Sequence, residues 1–136
     1  MHPFHYSFKI KDIDSTREFY GKLLGCKEGR STEHWIDFDF FGHQMSAHIA
    51  ENIPPLDYCG LVDGIKVPIP HFGVIISVAE YVAIREKLET INYPFIVKPQ
   101  IRYAGKPEQQ HTFFILDASG NPLEFKSYSG ISEQFI

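Results

Sequence analysis

The sequence has few of the features that define several large classes of proteins. Only two of its 136 residues are cysteines, Cys26 and Cys59, which provides neither a disulfide framework nor a cysteine pair for a metal ion. No apolar run is long enough to span a bilayer, and the opening MHPFHYSF does not form a secretory signal. We therefore expect a cytoplasmic protein with no membrane partner.

An excess of basic residues is also missing. Lys and Arg number 13 against 17 Asp and Glu, which gives a formal net charge of −4. Because nucleic-acid binding depends on a basic surface, we expect no nucleic-acid partner. Aromatic residues are abundant instead, with 12 Phe and 7 Tyr. The length suits one domain with an aromatic core or pocket.

Two predicted strands that begin with histidine organise the rest of the chain. In His5–Ile10, alternation places His5, Ser7 and Lys9 on one face and apolar side chains on the other. The strand His71–Ser77 has the same layout, with His71 and Gly73 on one face. Each strand leads into a segment with helical spacing, so the two segments occupy equivalent places.

The two helical segments have different boundary signals. In the first, Asp14 or Ser15 can cap the free amides, Ser15 and Glu18 fit a capping box, and Gly25 ends the helix. The second is predicted from about Ala79 to Ile91, because the following Asn-Tyr-Pro resists helix.

Both halves have the order strand, helix, strand, strand, strand, which indicates a duplicated module in an α+β domain. The predicted bounds are about 3–50 for module 1, 51–70 for a proline-rich linker, about 71–128 for module 2 and 129–136 for a short tail. The turn Asp39–Gly42 aligns with Asp117–Gly120, although the second half has an extra loop around 99–111.

Three side chains on the polar faces of these strands suit a metal ion. His5, His71 and Glu124 come from three different strands and could point into one cleft. A carboxylate between Leu and Phe is costly to bury unless it is paired or binds a cation. Two imidazoles and one carboxylate form a facial triad, which suits Fe(II) and also Mn, Zn, Ni or Co. The alternatives are solvated or hydrogen-bonded histidines, and an ion pair of Glu124 with Lys126 or Lys9.

Further candidates lie on the same predicted faces and in the extra loop. Aligning Gly42 with Gly120 places Ser46 opposite Glu124, so His48 could line the cleft as an acid or base. Its alternative is a hydrogen-bonded histidine at a strand end. Arg102, Tyr103 and Gln109 could hold an anionic substrate through the loop, for instance by a bidentate arginine contact. The alternative is a solvated loop.

Two segments carry a resemblance to a known family. One is Asp14–Gly25, with its Phe19-Tyr20 and Leu23-Leu24-Gly25. The other is Asp117-Ala-Ser-Gly-Asn-Pro-Leu-Glu124, which is similar to the motif Asp-Pro-Xaa-Gly-Asn-Pro-Xaa-Glu with Ala118 in place of proline. Over residues 3–128 the chain resembles the vicinal oxygen chelate superfamily, which includes glyoxalase I, fosfomycin-resistance thiol transferases, bleomycin-resistance proteins and type I extradiol dioxygenases.

The resemblance implies two tandem βαβββ modules that form a curved mixed sheet around a metal cleft. It maps the metal ligands onto His5, His71 and Glu124. The segment from Trp35 to His48 also resembles a subgroup of predicted extradiol-type dioxygenases. By resemblance we therefore expect a dioxygenase that binds one divalent ion, Fe(II) first, and a small substrate with two neighbouring oxygens.

Other activities of the superfamily stay open at this point. A glyoxalase-like isomerase normally uses a fourth protein ligand, for which Ser46 at the matching place is poor. Thiol transfer to an antibiotic is a further possibility, and so is a metal-free drug-binding protein of the bleomycin-resistance kind, although such proteins typically lack the complete ligand set. We expect a homodimer, with or without exchange of modules.

Overall fold

Two four-stranded mixed sheets carry the fold. The computed structural model describes residues 2–129. The first sheet has the order β1-β4-β3-β2, built from β1 (His5–Ile10), β2 (Lys27–Ser31), β3 (Trp35–Phe40) and β4 (His43–Ile49). The second has the order β7-β10-β9-β8, built from β7 (Phe72–Ile75), β8 (Val97–Arg102), β9 (Gln110–Leu116) and β10 (Pro122–Tyr128). In each sheet the first two strands of that order are parallel and the others antiparallel. The predicted α+β fold of two βαβββ modules is confirmed.

The first helix begins earlier than the sequence signals indicated. Helix α1 (Ile13–Thr16) continues into a π-helical segment, Arg17–Leu23. Asp12 is its cap, because the backbone stays extended there and the carboxylate accepts the Ser15 N–H at 2.7 Å. The predicted cap at Asp14 or Ser15 is therefore wrong, and so is the capping box with Glu18.

The second helix, α2 (Val78–Thr90), lies within one residue of the predicted bounds. It carries the capping box that the first helix lacks. The Ser77 hydroxyl accepts the Glu80 N–H at 3.1 Å, and the Glu80 carboxylate accepts the Ser77 N–H at 3.3 Å. None of the helices in the described chain is long and apolar enough to cross a membrane.

The segment predicted as a linker contains a short hairpin. Strands β5 (Gly60–Val62) and β6 (Ile65–Val67) pair around a tight turn in which Asp63 and Gly64 have positive φ. The prolines on either side stay outside the hairpin, as their missing N–H groups require. Val67 packs with Val97 and Phe114 in a buried cluster, so this hairpin is part of the core.

The chain forms two compact units. The N-terminal unit runs to Pro55 and includes the Asp117–Asn121 turn, whereas the C-terminal unit comprises Leu56–Leu116 and the chain from Pro122. The module and linker bounds given above remain predictions. Apart from Ser129, the predicted tail lies outside the described residues.

Alternation along β3 and β10 places apolar side chains on one buried face of each strand. On β3, Ile36, Phe38 and Phe40 are each no more than 3% exposed and form the buried face. On β10, Leu123 and Phe125 are fully buried in the same way. Glu124 therefore lies on the face of β10 opposite Leu123 and Phe125.

Candidate metal centre

The structure brings His71 and Glu124 together in the C-terminal unit. Strands β7 and β10 are parallel neighbours, with Gly73 beside Glu124 in register. The His71 Nε2 atom lies 3.2 Å from Glu124 Oε1. A Cβ on Gly73 would collide with the Glu124 carbonyl oxygen, so only glycine allows β7 to approach β10 this closely.

The tautomer of His71 is set by the backbone. Its Nδ1 atom lies 2.7 Å from the Pro68 carbonyl oxygen, which can only accept, so Nδ1–H is the donor. In neutral His71 the lone pair on Nε2 then faces a carboxylate. A cation between them, either a proton or a metal ion, satisfies both groups. A histidine that donates its other nitrogen to a carbonyl is the usual arrangement in protein metal sites.

Glu124 is a buried carboxylate with several partners. It is 7% exposed and accepts the Thr112 hydroxyl at 2.6 Å, while Lys126 Nζ lies 3.7 Å from Oε1. Burial raises the pKa of Glu124, but the hydrogen bonds from His71 and Thr112 and the charge of Lys126 outweigh it, so the pKa lies below its ordinary value. The hydrogen bond to Glu124 raises the pKa of His71, against the effect of burial.

His5, in the N-terminal unit, has the same hydrogen-bonding arrangement. Its Nδ1 atom lies 2.7 Å from Gln44 Oε1, and the Ser7 hydroxyl lies 3.2 Å from Nε2. The amide oxygen can only accept, so His5 also carries its proton on Nδ1 and keeps the lone pair on Nε2. Both predicted histidine ligands thus present the nitrogen that a metal ion binds.

The donors fit a divalent ion chemically. Two neutral imidazole nitrogens and an ionised carboxylate, each held by neighbouring hydrogen bonds, are the set that first-row transition metals accept. Within residues 2–129 no three His, Cys, Asp or Glu side chains form a group suited to a metal ion. The three-ligand set therefore remains a prediction.

His48 and Ser46 lie on the polar face of the first sheet. His48 is exposed, and it pairs in register with Lys9 and Trp35, with its ring 6.4 Å from the Trp35 ring. Ser46 is buried and donates its hydroxyl to Asp37 Oδ1 at 2.6 Å. Asp37 lies beside Ser46 in register on β3, and no sequence pattern signals that the two side chains engage.

The three predicted substrate-binding residues contact protein groups. Arg102 donates to Asp63 at 2.8 Å and to the Tyr103 hydroxyl at 3.0 Å, so it holds the tip of the β5–β6 hairpin. Gln109 accepts the Gly105 N–H at 2.8 Å and so closes the loop before β9. Sequence reasoning missed Asp63 as a partner because it lies 39 residues from Arg102.

Comparisons with known proteins add the following. The sequence matches no protein-family model, and none of the curated proteins compared with it matches. A solved glyoxalase/bleomycin resistance protein/dioxygenase from Alicyclobacillus acidocaldarius is 28% identical, with a TM-score of 0.78 over 97% of this chain and 95% of that one. Fosfomycin resistance protein FosX from Listeria monocytogenes is 15% identical, with a TM-score of 0.69 over 98% of both chains. A glyoxalase/dioxygenase from Nostoc punctiforme is also 15% identical, with a TM-score of 0.69 over 95% of this chain and 92% of that one.

These likenesses extend over nearly the whole chain and agree with the duplicated βαβββ topology. They also agree with the motif from Asp117 to Glu124, whose turn and strand the structure describes. The chain therefore has the fold of the vicinal oxygen chelate superfamily, to which these solved structures belong.

Proposed function

We propose that this protein is a metal-dependent enzyme that acts on a small substrate with two neighbouring oxygens. The observation that carries the proposal is the 3.2 Å approach of His71 Nε2 to Glu124 Oε1, with Nδ1–H already donated to Pro68. His71, Glu124 and His5 would hold the ion, in a homodimer of the cytoplasm. A divalent ion bound there supplies Lewis acidity toward the two oxygens, and as Fe(II) it would also allow dioxygen chemistry.

The neighbouring side chains have separate tasks in this proposal. The Pro68 carbonyl and the Gln44 amide oxygen keep the two histidines in the ligating tautomer. Thr112 fixes Glu124 through the second carboxylate oxygen. Lys126, whose side chain is 27% exposed, places a positive charge near Glu124 and can face a negatively charged substrate oxygen. His48 is exposed and free to accept or donate a proton.

The substrate-binding role of Arg102 requires an exchange of partners. In the structure its guanidinium is paired with Asp63. A substrate carboxylate would replace Asp63 in this contact, with Tyr103 and Gln109 shaping the loop beside it. Asp63→Asn should then lower KM for an acidic substrate, because the competing carboxylate is removed while the arginine stays.

Among the reactions of the superfamily, we rank extradiol-type oxygenation first. The Ser46 hydroxyl is donated to Asp37, which makes Ser46 a weak candidate for the additional ligand of a glyoxalase-like isomerase. Thiol transfer to an antibiotic stays the second candidate, and the fold shared with fosfomycin resistance protein FosX is consistent with it.

Three assays run in parallel test this ranking. Apoprotein is loaded anaerobically with Fe(II), Mn(II), Zn(II) or Ni(II), with His71→Ala as the control. Each preparation is given catechols with oxygen, a glutathione hemithioacetal, or fosfomycin with a thiol. Oxygen uptake with ring cleavage supports extradiol-type oxygenation. Turnover of the hemithioacetal or of fosfomycin would instead replace oxygenation as the proposed reaction. No turnover by any loaded form contradicts the enzyme proposal for these substrates.

A further inference from the structure

The N-terminal unit contains a surface cavity, wide open to solvent, that none of the proposed metal ligands lines. Its volume is about 350 Å³, which is in the range of pockets that hold small organic molecules. Its polar lining includes Asp37, Asp39, Arg30, His43 and Gln44. The cavity lies on strands β2, β3 and β4, so it belongs to a single compact unit.

Asp37 is an incompletely satisfied carboxylate in this lining. The residue is only 7% exposed. Oδ1 accepts the Ser46 hydroxyl at 2.6 Å, and no other group in the described chain donates to Asp37. A carboxylate removed from water is costly without further donors or a positive charge. Asp37 Oδ2 therefore offers a strong acceptor to an occupant of the cavity.

The other charged groups favour a positively charged occupant. Asp39 adds a second carboxylate, one oxygen of which accepts the Gly42 N–H at 2.7 Å. The one cationic lining residue, Arg30, is exposed, and its guanidinium lies over the Trp35 ring at 6.0 Å. Lys27 faces Asp39 in register on β2 but does not line the cavity.

We infer that this cavity binds the ammonium group of a small organic cation against Asp37. The ammonium donates to Asp37 Oδ2, while Ser46 holds Oδ1 and fixes the orientation of the carboxylate. Phe38 and Pro3 also line the cavity, and Pro3 offers an apolar surface for the carbon skeleton. The inference goes beyond the proposed metal chemistry and needs no metal ion, since His5, His71 and Glu124 are all absent from the lining.

The test uses the full, metal-free chain and three compounds of similar size and different charge. Phenethylamine is cationic, 2-phenylethanol is neutral and phenylacetate is anionic. Dissociation constants are measured by calorimetry, and the binding site is mapped from amide chemical shifts. The key variant is Asp37→Asn, which keeps an acceptor for Ser46 but removes the charge. Glu33→Gln is its matched control, because it removes one exposed negative charge that does not line the cavity.

We expect wild type and Glu33→Gln to bind phenethylamine about tenfold or more tightly than the neutral and anionic compounds. Asp37→Asn should lose that preference. Shift changes should centre on Gly29, Asp37 and Gly42 in the wild type, a result that does not depend on the variant folding. Equal or tighter binding of phenylacetate, shifts confined to other residues, or no binding of the amine would each overturn the inference. Loss of metal-dependent activity would leave these results unchanged, so the two proposals fail separately.

Discussion

Tyr20 donates its hydroxyl to Asp117 Oδ2 at 2.7 Å, and both residues are buried. This hydrogen bond joins the π-helical segment after β1 to the turn before Glu124. The Asp117 carboxylate also accepts from the backbone of Ser119 and from the backbone and side chain of Asn121. The motif that carried the family resemblance is therefore a folded turn around one carboxylate.

Tyr20→Phe should destabilise the protein because it leaves a buried carboxylate short of one donor. The expected loss in the free energy of unfolding is about 1–3 kcal/mol. Urea denaturation gives the value, and Tyr58→Phe is the control because Tyr58 is 41% exposed. Equal effects of the two substitutions would contradict the structural role of this hydrogen bond.

Gly73→Ala should disrupt the approach of β7 to β10. The added Cβ meets the Glu124 carbonyl oxygen, which is backbone and cannot move aside without breaking the strand pairing. We expect a loss of about 3 kcal/mol or failure to fold. Gly21→Ala is the control, since its Cβ would have only ordinary contacts, the nearest at 3.7 Å. Thermal unfolding of both variants makes the comparison, and a stable Gly73→Ala protein would contradict the packing described.

The His71–Glu124 pair predicts a particular pH dependence in metal-free protein. The raised pKa of His71 means that its stabilisation is complete below the unfolded pKa and is lost as pH rises through the folded pKa. The lowered pKa of Glu124 means that its stabilisation is present above the unfolded pKa and is lost as pH falls through the folded pKa. Both contributions are complete between the ordinary pKa values of a glutamate, 4.5, and a histidine, 6.5. Glu124→Gln should therefore lower the free energy of unfolding most in this pH range.

NMR titration of the His71 ring checks the same pair directly. The pKa of His71 should lie above that of an ordinary histidine and should fall in Glu124→Gln. The same titration of the wild-type protein is the reference for the variant. A His71 pKa that is unchanged by Glu124→Gln would show that the two groups do not interact in solution.

The two cysteines should differ sharply in reactivity. Cys26 is buried, and burial together with the charge of Asp39 raises its pKa to about 12. Cys59 is exposed. Because the thiolate is the reactive form, a thiol reagent at pH 8 should modify one cysteine per folded chain. Cys59→Ser should abolish this fast reaction. Fast labelling of Cys26 would contradict its burial and would mean that the N-terminal unit opens readily.

Much of the fold could be predicted because local patterns and tertiary packing agree. The strand at His5 follows from side-chain alternation, and the end of the helix after His71 follows from the Asn-Tyr-Pro that comes next. The cap of α1 could not be chosen from sequence, because Asp12, Asp14 and Ser15 are all good capping residues. The backbone at Asp12 decides it by staying extended.

The candidate site was predictable only in part. The closeness of His71 and Glu124 follows from the parallel pairing of β7 with β10, a pairing that the sequence did not predict. The Pro68 carbonyl as a partner of His71 could not be foreseen, because a backbone acceptor has no sequence signal. Likewise, Arg102 has the chemistry of an anion-binding residue, but its pairing with Asp63 depends on where the β5–β6 hairpin lies.

The metal content of protein purified without oxygen tests the central proposal most directly. Wild type is compared with His5→Ala, His71→Ala and Glu124→Ala, with His34→Ala as the control. The account predicts about one divalent ion per chain in wild type and in the control, and a large loss in each of the other three variants. Absence of bound metal from wild type after addition of Fe(II), Mn(II), Zn(II) or Ni(II), or full retention in the three variants, would contradict it.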